Sequence, residues 1–543
     1  MNIQHTTCGI PRFKGGISSD ACRVEVQAES VIAVLADGAG SGEAAREAAA
    51  RTVGMFASHY ASRPAAWQPD RALEEIAALL NRTFCSESED RFGRREMVCT
   101  LAAAVIEGDT LYGLNAGDSR IYLHRADLLE QLSVDHTAPH DDNCLISGLG
   151  ITDDPDWHIF RRTLTAGDKV LLCSDGVWKN LPDVELRSAL LTGASARGLV
   201  TGASAAATAE TRDDMTAAVL DVRKTGDLRN PSQRALPVLT ELRKGMVIDG
   251  WLLQRSFGAS DRCWLVENDL QRAVLKFPPA DAARDEALRQ AFLREMWNAT
   301  RAEGDWFVRA TEPDHATALY YNMEFVDAPS LKMLLRSRRL AVDEAVELGK
   351  FLAAAAQCLL RHDLVHGDLK PENVLADSNY DRLRFKLVDL GSTMPVFSTT
   401  SRAGTASYLA PERFSGAPVS ERTEIFAIGV TLFEALTGRL PFGEIERFQT
   451  PSFSPPKAPS SLNANLPAWL DSVIQRACAI DPVQRYQHYS EIAFDLTHPE
   501  KVTPWRARGA PLLESNPLLF YKVAFFTLLG VCLLLLLKLA GAI

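Results

Sequence analysis

The eight residues H-G-D-L-K-P-E-N, at 366–373, constrain this chain more than any other stretch. They place an aspartate, a lysine and an asparagine within six residues, just after the apolar pair Leu364-Val365. Asp389 opens D-L-G twenty-one residues after Asp368, behind the strand-like F-K-L-V, and A-P-E follows at 410–412. Upstream, A-V-L-K ends on Lys276, and an amphipathic helical pattern presents Glu295. Segments 251–277 and 315–326 read as strands, whereas 343–361, 421–437 and 467–480 have helical spacing. The spacing predicts a small sheet-rich lobe followed by a larger helical one.

These residue types suit phosphoryl transfer. A lysine can orient α- and β-phosphates while a glutamate holds it. One aspartate can accept a hydroxyl proton, and an asparagine with a second aspartate can hold Mg²⁺. The ordered set resembles the eukaryotic-like protein kinase family over about 245–495. The resemblance implies that Asp368 is the catalytic base and that Lys370 steadies the γ-phosphate. It implies Lys276 paired with Glu295, and Asn373 and Asp389 as Mg²⁺ ligands. D-L-K-P-E-N and G-T-A-S-Y-L-A-P-E at 404–412 resemble the Ser/Thr branch, and Arg485 would bridge to Glu412. Three positions depart from the pattern. In R-S-F-G-A-S-D-R-C-W only Gly258 keeps a family glycine, with Ser256 and Asp261 at the outer places, so ATP affinity is expected to suffer. Gly367 replaces an arginine that reads loop phosphate, and Glu424 replaces an aspartate that braces the catalytic loop.

The chain has 543 residues, too many for one core, so two to four units are expected. The first half alternates apolar strands with helical stretches, an α+β pattern. Asp37, Asp118 and Asp175 each stand at or just after an apolar strand, followed by Gly or Ser; Asp20 sits in a turn and Asp213-Asp214 precede a strand. Singly, Asp-Gly after a strand is ordinary turn chemistry. Together, carboxylates at strand ends can converge, and oxygen-only donors suit Mg²⁺ or Mn²⁺. Two such ions can deprotonate a water and clamp a phosphoryl group. Seven ordered blocks across 10–222, among them A-D-G-A-G at 36–40, N-A-G-D-S-R at 115–120, C-S-D-G at 173–176 and D-D-M-T at 213–216, resemble the type 2C metal-dependent protein phosphatase family. The resemblance implies that Asp37 bridges two metals and that the Gly38 carbonyl ligates one. Asp175 and Asp213 would hold the second, Asp20 would act through coordinated water, and Asp118 would serve a third. Gly15 stands where an arginine usually holds substrate phosphate, leaving Arg12 or Lys14 to substitute; Asp214 replaces the usual asparagine and adds negative charge; Ala39 replaces a histidine acid found in some members.

Net charge is −11, from 58 basic and 69 acidic residues, which argues against a general nucleic-acid binder. Ten scattered cysteines without C-x-x-C argue against a disulfide scaffold or structural zinc and for a reducing compartment. The first residues lack a basic n-region and an apolar h-region, so no signal peptide is expected. Residues 523–537 carry no charge and lie between Lys522 and Lys538. With snorkelling lysines they are read as a span, with the preceding side cytoplasmic.

The expected architecture is therefore α+β with two domains: an αββα phosphatase sandwich at 1–225, a linker at 226–245 and a bilobal kinase fold at 246–497. A juxtamembrane linker at 498–517 and a single transmembrane helix at 518–540 would follow. The expected function is a bifunctional signalling enzyme. It would phosphorylate protein Ser/Thr with ATP and Mg²⁺, and hydrolyse phospho-Ser/Thr with two or three Mn²⁺ or Mg²⁺. Its substrates would be proteins, its own kinase domain among them, with Ser398, Thr399, Thr400 and Ser401 as candidate phosphosites. It would be a single-pass protein of a bacterial inner membrane with cytoplasmic catalytic domains. The alternative is an active phosphatase regulated or scaffolded by a nucleotide-binding pseudokinase.

Overall fold

The computed structural model describes residues 1–27, 30–40, 42–226, 236–257, 261–302, 304–362, 364–378, 382–395, 404–446, 451–505 and 517–539. Gly258, the four candidate phosphosites at 398–401, part of the expected linker (227–235) and residues 506–516 lie outside them. The chain divides into two compact units. The first comprises Met1–Glu303, Arg309–Phe325 and Pro395–Ser398; the second comprises Gly304–Val308, Val326–Met394 and Thr399–Ile543.

In the first unit the chain runs through β1 (Asn2–Ile10), β2 (Asp20–Val26), β3 (Ser30–Asp37), α1 (Glu43–Ala61) and α2 (Pro69–Phe92). Then come β4 (Leu101–Glu107), β5 (Thr110–Ala116), β6 (Arg120–Arg125), β7 (Leu128–Gln131), β8 (Thr137–Ala138), β9 (Asp141–Leu145), β10 (His158–Thr163) and β11 (Lys169–Cys173). Helices α3 (Asp175–Trp178), α4 (Asp183–Leu191) and α5 (Ala196–Ala206) precede β12 (Met215–Lys224). Two five-stranded sheets form, in the orders β1-β12-β11-β6-β7 and β10-β5-β4-β3-β2.

Strand periodicity explains how they stack. Val31, Ala33 and Leu35 of β3, with Ala102, Ala104 and Ile106 of β4, meet Val170, Leu172, Ala218 and Leu220 of the other sheet in one buried core. The intervening residues face helices: Leu171, Cys173, Ala217 and Val219 pack with Val177, Leu186, Leu190, Leu199 and Val200. On the other side α1 packs on β2 and β3 through a row of alanines with Val53 and Phe56. The result is helix, sheet, sheet, helix. Proline at the first turn of α2 and Gly93 (φ 67°) at its end bound that helix.

The same unit continues into a six-stranded sheet, β13 (Val247–Ile248), β14 (Trp251–Phe257), β15 (Cys263–Glu267), β16 (Arg272–Lys276), β17 (Ala310–Thr311) and β18 (Tyr321–Glu324), in the order β13-β14-β15-β16-β18-β17. Helix α6 (Glu286–Arg301) accompanies it, its N-terminus capped by Asp285.

The second unit is mainly helical, with α7 (Leu331–Ser337), α8 (Val342–Leu360), α9 (Glu421–Thr437), α10 (Ala468–Ala477) and α11 (Tyr489–Thr497). Every residue of α9 from Thr423 to Thr437 is buried, which makes it the axis of this unit. The strand pair Val374–Asp377 and Arg384–Leu387 carries the segments that lead out of H-G-D-L-K-P-E-N and into D-L-G.

The tail departs from expectation. A last helix covers Pro517–Leu539, yet among the described residues no helix is long and apolar enough to cross a membrane. The expected transmembrane helix at 518–540 is therefore corrected. The charge-free run 523–537 reaches only about 22 Å at 1.5 Å per residue, short of a hydrocarbon core of about 30 Å.

Candidate active sites

The antiparallel ladders bring the sequence-predicted aspartates of the first unit to one end of the sandwich. Asp37 ends β3 and lies directly opposite Asp20 at the start of β2. Leu35 pairs with Ala102, and Leu101 pairs with Ala116, so Asp118 leaves β5 at the same end. In the other sheet Cys173 pairs with Ala217, so Asp175 follows β11 close to where Asp213 precedes β12. Like charges paired directly across strands cost stability, which makes Asp20 opposite Asp37 a poor structural choice without a counter-ion.

The electrostatics agree. Burial, with Asp214 nearby, pushes the Asp20 carboxyl up to about 7 despite the hydrogen bond that Ser174 Oγ donates to it (2.8 Å). Burial, then Asp20, Asp175 and Asp118, raise Asp37 well above the usual range. Burial and Asp175 push Asp118 up to about 7, and burial raises Asp213. Lys179 brings a cation to the group, 2.8 Å from Asp175.

Among the described residues, no three His, Cys, Asp or Glu side chains gather closely enough to hold a metal as they stand. The donor set nonetheless fits a hard cation. It is all oxygen, and Asp20 Oδ1 and Asp175 Oδ1 are buried with no hydrogen-bond partner. Gly38 lies between Ser19 and Ala45, where a Cβ would stand 2.7 Å from the Ala45 carbonyl oxygen. The backbone there must be bare.

Asp214 lies close enough to Asp20 and Asp213 for its added charge, on top of burial, to push both carboxyls up. Its carboxylate accepts the backbone N–H groups of Arg12 (2.6 Å) and Ser19 (2.5 Å), so it closes the N-terminal loop over the site. Burial, Asp175 and Asp214 push the Asp213 carboxyl up, and the charge of Arg12 acts in the opposite direction.

Sequence reasoning assigned no role to a supporting trio. Asp135 receives a forked hydrogen-bond pair from Arg120 Nε and Nη2 (3.0 and 2.7 Å). The Arg120 guanidinium lies 3.5 Å over the Trp178 ring, and Trp178 Nε1 donates to the Asp118 carbonyl (2.9 Å). The only sequence signal for it was that Asp135 and Arg120 fall inside motif blocks.

In the sheet-rich part of the first unit, Lys276 Nζ lies 2.5 Å from Glu295 Oε1, as expected. Tyr321, the cross-strand partner of Lys276, donates its hydroxyl to the same Glu295 oxygen (2.8 Å). No motif marked that tyrosine. The pair lines a cleft of about 560 Å³ with Asp261, Phe277, Phe292 and the segment 240–243. Asp261, at φ 49°, accepts from Ser256 Oγ (2.7 Å).

In the second unit, Lys370 Nζ donates to Asp368 Oδ2 (2.6 Å) and to Thr405 Oγ1 (2.5 Å). Asn373 Nδ2 donates to the Asp368 carbonyl (2.9 Å), and the Thr405 N–H donates to Asp368 Oδ1 (2.8 Å). Thr405 was quoted within a motif but had no predicted role. Burial holds the His366 imidazole below its usual range, and its Nδ1 accepts the Asp368 N–H at 3.3 Å.

Two departures find physical reasons. Gly367 has φ +77°, and a Cβ there would meet the Ser392 carbonyl oxygen at 2.6 Å, so this loop conformation excludes the usual arginine. Glu424 accepts the Gly367 N–H (2.8 Å) and the Tyr489 hydroxyl (3.0 Å), and so still braces the loop. Asp389 adopts φ 61° and accepts from the Gly391 N–H (3.3 Å). Arg485, fully buried, forks onto Glu412 at 2.7 and 2.8 Å.

Comparison with known proteins divides the chain differently from the compact units, since the kinase match runs through parts of both. Residues 12–213 match the protein phosphatase 2C family model, and residues 262–493 match the protein kinase domain model. A probable serine/threonine-protein kinase of Streptomyces coelicolor is 29% identical over 242 residues, 42% of this chain and 36% of that protein. The Mycobacterium tuberculosis PknI kinase domain structure is 28% identical, covering 48% of this chain and 99% of its own, with a TM-score of 0.37. The structure of PppA, described as a key regulatory component of T6SS in Pseudomonas aeruginosa, is 26% identical, covering 41% and 98%, with a TM-score of 0.36. The chain spans 27–36% of the length of the first three curated relatives it matches.

Proposed function

The chain joins a protein phosphatase 2C domain to a protein kinase domain, and from that premise we propose that it both writes and erases phosphate on protein serine and threonine. The observation that carries the reading is that each domain keeps its own ordered acid set. One is the buried aspartates at the end of the sandwich; the other is Asp368 held between Lys370, Asn373 and Thr405.

In the kinase domain Asp368 would take the proton of the attacking hydroxyl. Lys370 and Thr405 fix its carboxylate, and Lys370 adds positive charge where the transferred phosphoryl sits. Lys276 would hold ATP phosphates, and Asn373 and Asp389 would hold Mg²⁺. In the phosphatase domain Asp37, the Gly38 carbonyl, Asp175 and Asp213 would hold Mn²⁺ or Mg²⁺, with Asp20 and Asp118 in support. Bound there, such ions supply Lewis acidity and a water of lowered pKa. Arg12 would orient the phosphate. Both activities belong in a reducing, ATP-bearing cytoplasm, a reading supported by ten scattered cysteines with no C-x-x-C among them.

The test is a full chain carrying Asp175→Ala, incubated with γ-labelled ATP and Mg²⁺ or Mn²⁺ beside an Asp175→Ala/Asp368→Asn control. Label on the first and none on the second is expected. The Asp261 carboxylate beside the Lys276 cleft favours a second reading, a nucleotide-binding pseudokinase that governs the phosphatase. Nucleotide binding without label on either protein would establish it.

A further inference from the structure

Helix α6 carries Glu295, and its other faces are not free. Gln290, Arg294, Trp297 and Arg301 fall at helical spacings of four, three and four, so they form one stripe. At about 100° per residue, Glu295 lies about 130° around the helix from that stripe. The stripe is seated on the connection between α1 and α2 of the phosphatase domain, inside the same compact unit.

The contacts are specific. Trp67 Nε1 donates to Gln290 Oε1 (3.1 Å), and Trp297 Nε1 donates to Ser62 Oγ (3.2 Å). The two indoles meet edge-on at 5.0 Å, with Trp67 1% and Trp297 4% exposed. Arg301 Nη1 donates to His59 Nδ1 (3.0 Å), its guanidinium lying 3.8 Å over the Trp297 ring. Arg294 pairs with Glu75 at 3.2 Å, and the Ala65 N–H donates to both carboxylate oxygens of Glu312, just past β17 (3.1 Å each).

Buried aromatic pairs and buried guanidinium bonds are what fixes one protein surface against another. Here they fix the helix whose glutamate holds the ATP lysine, and kinase activity depends on that ion pair being in place. We propose that residues 59–75 of the phosphatase domain are positioning residues for the kinase. They hold α6 so that Glu295 stays on Lys276, and they do so independently of phosphate hydrolysis. The inference rests on the kinase reading above and adds its regulation: loosening this seat, by a partner or by change within the phosphatase domain, switches the kinase down.

The test uses the full chain with Trp67→Ala, Arg294→Glu and Arg294→Lys. Four quantities are read: kcat and KM for transfer to a basic model protein (in an Asp37→Asn background, to prevent erasure), p-nitrophenyl phosphate hydrolysis without that background, and hydrogen exchange over 286–301. Expected are a tenfold or greater fall in kinase kcat for Trp67→Ala and at least threefold for Arg294→Glu. KM for the protein substrate should hold, hydrolysis should stay within twofold, and exchange over 286–301 should be at least tenfold faster. Arg294→Lys should keep the parent rate. Faster exchange over 286–301 with kinase kcat unchanged would overturn the proposal, as would unchanged exchange in Arg294→Glu. Should Trp67→Ala lose hydrolysis through misfolding, the Arg294 pair decides alone. A parent that transfers no phosphate defeats the kinase reading instead, and exchange in Arg294→Glu still decides whether the seat holds α6.

Discussion

Glu424 reaches the catalytic loop with one methylene more than an aspartate has, and the loop beside it has no side chain at Gly367. The two departures fit each other: a longer brace meets a loop whose backbone conformation only glycine adopts easily. Shortening the brace by Glu424→Asp should leave the Gly367 N–H and the Tyr489 hydroxyl unsatisfied in a buried place. Kinase kcat is expected to fall at least tenfold, with p-nitrophenyl phosphate hydrolysis unchanged; equal kinase rates in the two proteins would refute the bracing role. At this scale the motif residues were legible because their chemistry needs fixed types at fixed spacing. Tyr321 and Thr405 were not, because a strand hydroxyl that reaches a helix carboxylate, or a loop residue that meets Asp368 through its N–H and Lys370 through its hydroxyl, leaves no local pattern. The backbone contacts of Asp214 were not legible for a related reason, since the N–H groups its carboxylate accepts belong to residues about two hundred positions away.

Elements were read from periodicity, and the buried strands ending on Asp37 and near Asp175 appear where the apolar runs placed them. Strand order was not legible, because β1 pairs with β12 and β10 with β5 through contacts that no short window contains. The turn before β11 shows how such joins are held. Asp168, 1% exposed, accepts from Arg125 Nε (2.9 Å) and Nη2 (2.7 Å) and from the Thr165 N–H (2.7 Å). Although burial opposes it, the Arg125 pair and the Thr165 bonds hold its carboxyl below the usual range. A lowered folded pKa contributes stability above the unfolded value and loses it as pH falls through the folded one. Asp168→Asn is therefore expected to cost about 2 kcal/mol at pH 7, and the gap from the parent should close below about pH 4. Urea unfolding followed at both pH values checks this, and a gap that persisted at low pH would speak against the ion pair.

For the whole molecule, the two-domain reading was legible because each domain repeats an ordered set of motifs, whereas the tail was misread because the length of an apolar run was stretched by its flanks. Under the proposed function, joining writer and eraser in one chain would raise the concentration each sees of the other's product. Phosphate placed on the kinase domain should therefore disappear at a first-order rate that does not change across a tenfold range of protein concentration. A rate proportional to concentration would show erasure between molecules. The seat of α6 on residues 59–75 has a consequence for descent. Trp67 with Trp297 and Arg301 with His59 are each one feature written in two places, more than two hundred codons apart. A recombination that exchanged either domain alone would part both pairs, so the two halves of such a gene are expected to travel, and to drift, as one lineage.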